Sequence, residues 1–154
     1  MHFSFLEGHF PGCTIEHFEK DGSEWVYIRH PDYEEPIKVD STDDMDSPYL
    51  LRFATQHLHL ATPEEVLAHA QAYATGQRAA VEFYHDGRPC FGGDEAVAFI
   101  LYAGYDDWLR RFHAVLTSKH TFRCYGWHPD ANVCGHFERD EQRKWQVILE
   151  RNKP

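Results

Sequence analysis

An α+β fold is the class this chain predicts, and three observations predict it. Asp21-Gly22 and Asp86-Gly87 each interrupt a run of alternating apolar and polar residues, which is how two-residue hairpins are written. Strand-like segments and helix-like segments come in blocks instead of alternating one for one. The last third, 121–150, reads as three short strands in a meander. The expectation is a single domain over 1–154, a mainly antiparallel sheet of hairpins and a C-terminal meander packed against about three helices.

Residues 14–30 form the first hairpin. With Asp21-Gly22 at the turn, Phe18 faces Trp25 and Ile15 faces Ile28. Phe18, Trp25 and Tyr27 then share one face, and Ile15, Val26 and Ile28 the other. A short strand is expected at 36–39. Residues 32–46 carry seven acids and one lysine, Lys38, the pattern of a solvated loop. Asp40, Asp44 and Asp46 raise calcium as a candidate ion, without the mid-loop glycine and closing glutamate of an EF-hand.

Two helices are expected next. Ser47-Pro48 reads as an N-cap followed by proline, and Leu50, Phe53, Ala54, His57 and Leu58 fall on one helical face. On such a helix His57 and His59 point different ways. Thr62-Pro63-Glu64-Glu65 is a capping box that starts a helix ending at Gly76, with Val66, Ala70 and Tyr73 inward.

A second hairpin spans 79–91, and Gly92-Gly93 is expected to break its strand. From Asp94 the pattern allows one long helix, with Val97, Leu101, Tyr105, Trp108, Leu109 and Phe112 at helical spacing. It equally allows a buried strand over 96–103 followed by a helix over 105–117. Strands at 121–128, 133–140 and 144–150 complete the chain.

Composition bounds the partners. The chain has 154 residues, 25 acids against 15 bases and a formal net charge of −10. Nucleic acid and anionic membrane surfaces are disfavoured, because both recruit clustered basic residues. No apolar run approaches the roughly 18 residues that span a bilayer; the longest is 96–103. The N-terminus lacks the basic and apolar regions of a secretory signal. Cysteines stand singly at 13, 90, 124 and 134, with no CxxC. The expectation is a cytoplasmic protein with reduced thiols. Twelve histidines make its charge responsive to mild acid.

The densest chemistry lies between Cys124 and Glu138. A five-residue loop over 129–133 would set His128 opposite Cys134 and gather Cys124, His128, Cys134, His136 and Glu138 on one face. Thiolates and imidazoles in that number suit zinc. A four-residue loop over 129–132 would divide the set between two faces. Cys124 beside His136, or Cys90 beside His85, also has the makings of a cysteine nucleophile.

Two functions follow as expectations. In the first, a small acidic protein binds a protein partner with a basic surface, as an inhibitor, antitoxin or immunity-type factor does. Trp25, Tyr27, Tyr33, Asp43, Asp44 and Asp46 carry the contact, and no cofactor is expected. In the second, a metal-assisted hydrolase or lyase of a small molecule uses zinc on the 122–138 hairpin. The sequence carries no HExxH, G-x-S-x-G or other reaction motif that makes it an enzyme.

Overall fold

A computed structural model describes residues 3–151, and the fold is α+β with mainly antiparallel sheets. The chain divides into two compact units, Met1–Thr75 and Gly76–Pro154. Among the described residues each unit holds one five-stranded antiparallel sheet.

In the first unit a 3-10 turn, Ser4–Leu6, precedes β1 (Thr14–Lys20), β2 (Ser23–Arg29), β3 (Ile37–Ser41), β4 (Tyr49–Phe53) and β5 (Gln56–Leu60). The strands follow one another in space in chain order, and α1 (Pro63–Ala74) packs on β3 and β4. The β1–β2 register is the expected one, Phe18 with Trp25 and Ile15 with Ile28. Asp21 and Gly22 supply the positive φ angles, 52° and 82°, that this turn requires. Alternation then puts Val26, Ile28, Ile37, Val39, Leu51 and Phe53 on the face toward α1, all buried. Each large side chain removed from water there contributes about 1.5–3 kcal/mol. Val66, Ala70 and Tyr73 close this core, with the Tyr73 ring 4.6 Å from that of Phe53. Both hydrogen bonds of the capping box form: the Glu65 N–H donates to Thr62 Oγ1 at 3.2 Å and the Thr62 N–H to Glu65 Oε2 at 3.2 Å.

The helix expected over 47–58 is a hairpin instead, β4 and β5. Tyr49, Leu51 and Phe53 are buried while Arg52 is exposed, so a period of two prevails over the helical spacing. Pairing with β3 decides between the periods, because it satisfies a whole row of backbone groups at once. As a consequence His57 and His59 do not diverge. They stand two apart on one strand face, ring centroids 5.8 Å apart.

The second unit contains β6 (Arg78–His85), β7 (Arg88–Ala96), α2 (Val97–Tyr102), α3 (Tyr105–Phe112), β8 (His120–Tyr125), β9 (Val133–Arg139) and β10 (Trp145–Arg151), in spatial order β10-β9-β8-β6-β7. Trp108 of α3 is fully buried against Phe83, Phe112, Phe122 and Phe137. Neither reading of 94–117 is realised. β7 runs straight through Gly92-Gly93 to Ala96, and two short helices follow, separated at Ala103-Gly104. Gly104 is the N-cap of α3, and its N-capping carbonyl accepts from the Trp108 N–H at 3.1 Å.

The β8–β9 register is neither of the two expected. It pairs Thr121 with His136, Phe122 with Gly135 and Arg123 with Cys134, so the connection is longer than five residues. A 3-10 turn at Pro129–Ala131 fills it, pinned by Asn132, whose side-chain amide donates to Gly126 O at 2.6 Å. Gly135 is obligatory at its position: a Cβ there would lie 2.4 Å from the Phe122 ring and 2.4 Å from Ile148 O.

Candidate partner-binding face

The first sheet's face away from α1 is ordered in two rows across all five strands. One runs Phe18, Trp25, Asp40, Leu50, His59; the other runs Glu16, Tyr27, Lys38, Arg52, His57. Phe18 stacks on Trp25 at 5.7 Å with ring planes 8° apart, and meets Tyr27 edge-on at 5.4 Å. Phe18 is 40% exposed, and Trp25 and Tyr27 are half-buried, so this is a surface cluster and not a core. Lys38 Nζ lies 5.6 Å from the centre of the Trp25 ring and 5.9 Å from that of Tyr27, and the Arg29 guanidinium 4.9 Å from Tyr27.

Three cations on this face have carboxylate partners. Lys38 and Arg52 both bind Asp40, at 2.5 Å and 3.1 Å, and Arg29 binds Glu16 at 2.8 Å. Asp40 is thereby engaged by two cations and is not grouped with Asp44 and Asp46 as a calcium ligand.

The acidic loop between β3 and β4 is folded by its own hydrogen bonds. The Thr42 N–H donates to Pro48 O at 2.9 Å, its hydroxyl to Ser47 O at 2.7 Å, and the Asp46 N–H to Asp44 Oδ1 at 2.9 Å. Asp43, Asp44 and Asp46 are exposed, and Met45 between them is 94% exposed. In an antiparallel meander this loop lies at the same strand end as the β1–β2 turn, close in register to Trp25. Tyr33 lies at the opposite end, in the β2–β3 connection, its ring 4.8 Å from His30. Burial, then Asp32, raises its hydroxyl pKa. Trp25, Tyr27 and the three aspartates are therefore neighbours by topology, and Tyr33 stands apart from them.

The 122–138 hairpin distributes its candidate ligands between two faces. Cys124 points into the core with Phe122 and Phe137, where burial first, and the Cys134 thiol second, push its pKa up to about 12. Cys134 and His136 lie on the other face, in register with Arg123 and Thr121. His136 meets Glu138 through Nε2 at 3.5 Å and Glu150 through Nδ1 at 3.4 Å, so the two carboxylates sit on opposite sides of one ring. His128 accepts the Asp130 N–H at its Nδ1, 3.1 Å away, as a helix cap. Among the described residues no three His, Cys, Asp or Glu side chains converge to hold an ion. Of the thiols considered as nucleophiles, Cys124 is buried on the face away from His136, and exposed Cys90 donates to Phe83 O at 3.2 Å.

Sequence reasoning missed a polar group on the outer face of the second sheet. The Tyr84 and Tyr125 hydroxyls both donate to Glu82 Oε2, the second at 3.4 Å, and Arg123 lies 4.7 Å from the Tyr125 ring. The hydrogen bond to Glu82, followed by burial, raises the Tyr84 pKa; burial, followed by the Glu82 charge, raises that of Tyr125. Strand alternation over 80–84 and 121–125 was the available signal, hidden because β6 and β8 are not consecutive strands. Met45 was missed because it sits inside a charge run.

Comparison of the chain with protein families, with curated proteins and with solved structures finds no match. Among the described residues no helix is long and apolar enough to cross a membrane.

Proposed function

We propose that this protein acts by binding a protein partner that presents a basic surface, in the manner of an inhibitor, antitoxin or immunity-type factor. The supporting observation is the stacked cluster Phe18, Trp25 and Tyr27 on an outward sheet face, with the Asp43, Asp44 and Asp46 loop at the same strand end. Aromatic side chains of this kind anchor interfaces because they bury a large area at small entropic cost. The carboxylates steer a basic partner toward them. Nucleic acid is disfavoured as the ligand, since Lys38, Arg52 and Arg29 are already held by carboxylates and the net charge is −10. A cytoplasmic location belongs to the same reading, supported by four thiols without a disulfide.

The test compares Trp25→Ala and the triple variant Asp43→Asn, Asp44→Asn, Asp46→Asn with the unaltered protein. Each is used to capture partners and then titrated against the purified partner. Trp25→Ala should weaken binding by roughly 30-fold or more, the loss typical of a central aromatic anchor. The triple variant should slow association and blunt its salt dependence. A partner held with unchanged affinity by both variants would refute the reading.

A further inference from the structure

β5 is the outer strand of the first sheet at the edge opposite β1, and it carries two histidines on one face. His57 and His59 are exposed, with ring centroids 5.8 Å apart and ring planes at 81°. Two imidazoles on one tetrahedral zinc, at Zn–N distances of about 2.0–2.1 Å, have centroids about 5 Å apart. Small side-chain rotations therefore bring both rings onto one ion. Among the described residues neither ring makes a hydrogen bond or an ion pair, so each keeps a nitrogen for a metal. Other histidines are already committed: His120 and His128 accept backbone N–H groups at Nδ1, and His136 lies between Glu138 and Glu150. Arg52, the cation opposite His57, is held by Asp40 at 3.1 Å.

Two imidazoles fill half of a tetrahedral shell, and no third His, Cys, Asp or Glu of the described residues converges with them. The edge position of β5 supplies the rest. Ala54-Thr55 is a two-residue turn closed by the pair Phe53–Gln56. Hydrogen-bonded and non-hydrogen-bonded pairs alternate from there, so Arg52–His57 and Leu50–His59 are non-hydrogen-bonded pairs. The backbone N–H and C=O groups of His57 and His59 consequently point to the free side of the sheet. The inward residues of β5 are Gln56, Leu58 and Leu60, with no charge to oppose a second strand. Pairing is confined to residues 56–60: the turn ends it on one side, and on the other the Ala61 N–H donates to Glu65 Oε2 at 2.9 Å. Two copies of β5 that overlap fully and antiparallel are therefore centred on Leu58. That register sets His57 of each copy opposite His59 of the other and gathers four imidazoles on one face.

We propose that His57 and His59 of two copies of this chain bind one zinc ion between them, joining the two first sheets edge to edge through β5. The inference is independent of the partner-binding reading, since it concerns the sheet edge farthest from Phe18. Four imidazoles complete a tetrahedral zinc shell, which neither copy does alone. A five-residue edge is short and each copy carries a net charge of −10, so the ladder by itself does not hold two copies; the ion does.

The test uses the tag-free full chain, stripped with EDTA and titrated with zinc chloride. Sedimentation velocity should show a monomer in EDTA and a dimer in zinc, saturating at one ion per two chains. Amide exchange of the unaltered chain should slow at residues 57 and 59 in the zinc form. His57→Ala and His59→Ala, with unchanged circular dichroism, should each stay monomeric in zinc. Each should weaken zinc binding by at least the roughly 10–100-fold that follows loss of a metal ligand's own hydrogen-bond partner. One ion per chain on a monomer, or a dimer of equal strength in EDTA, would overturn the proposal. So would a zinc-linked dimer that survives both substitutions together, or one that leaves the amides of 57 and 59 unprotected. No change of mass on adding zinc overturns it as well.

Discussion

His120 shows how one side chain ties charge to stability. Its ring lies 4.7 Å from that of His85, its partner across the β6–β8 ladder, and its Nδ1 accepts the Thr117 N–H at 3.0 Å. Burial first, then the proximity of His85, lowers its pKa from 6.5, and Asp86 acts in the opposite direction. The folded chain thus takes up this proton less readily than the unfolded chain. Its stabilising effect is complete above about pH 6.5 and is lost as the pH falls through the lower folded value. Melting temperatures at pH 7.5 and 5.5 should show a smaller acid-induced drop for His120→Gln than for the unaltered protein; equal drops would contradict this. Single residues were legible in the sequence where alternation applied. Trp25 and Tyr27 emerged as a pair because a turn of known geometry set their register. Cys124 was not legible, since its face depends on a connection whose 3-10 turn has no strong signal beyond Pro129.

At the scale of elements, the turns and caps hold the local conformations most open to measurement. Ala54 opens the two-residue turn between β4 and β5 with φ 49°, a conformation that opposes a Cβ. Ala54→Gly should raise unfolding free energy by about 0.5–1 kcal/mol. Thr62→Ala, by removing the N-cap acceptor of α1, should lower it by about 1 kcal/mol. Urea titration measures both, and a destabilising Ala54→Gly would show that the turn gains nothing from glycine. The same turn explains why β4 and β5 were misread. Ala54-Thr55 has none of the Asn-Gly or Asp-Gly chemistry that marked the other hairpins. Leu50, Phe53, Ala54 and Leu58, with His57 between them, also satisfy a helical period. α1, by contrast, was legible at both ends, because capping box, N1 proline and Gly76 are local devices.

For the whole molecule the governing quantity is charge. A net −10 on 154 residues attracts a basic partner over distances set by the Debye length, about 10 Å at 0.1 M salt and about 3 Å at 1 M. Stopped-flow association with the captured partner should slow by roughly tenfold or more between about 0.05 and about 0.5 M salt, with dissociation much less affected. A salt-independent association rate would show that the acidic balance serves solubility alone. By itself the sequence determined the α+β class, the β1–β2 register, α1 and the acidic balance, because each follows from local periodicity, turn chemistry or composition. Tertiary structure alone decided that 49–60 is a hairpin, that 97–112 breaks into two helices, and that Cys124 faces away from Cys134 and His136. Those outcomes turn on which backbone groups pair across the sheet and which ring fills the space over Gly135. Such contacts join residues far apart in the chain, and no local pattern records them.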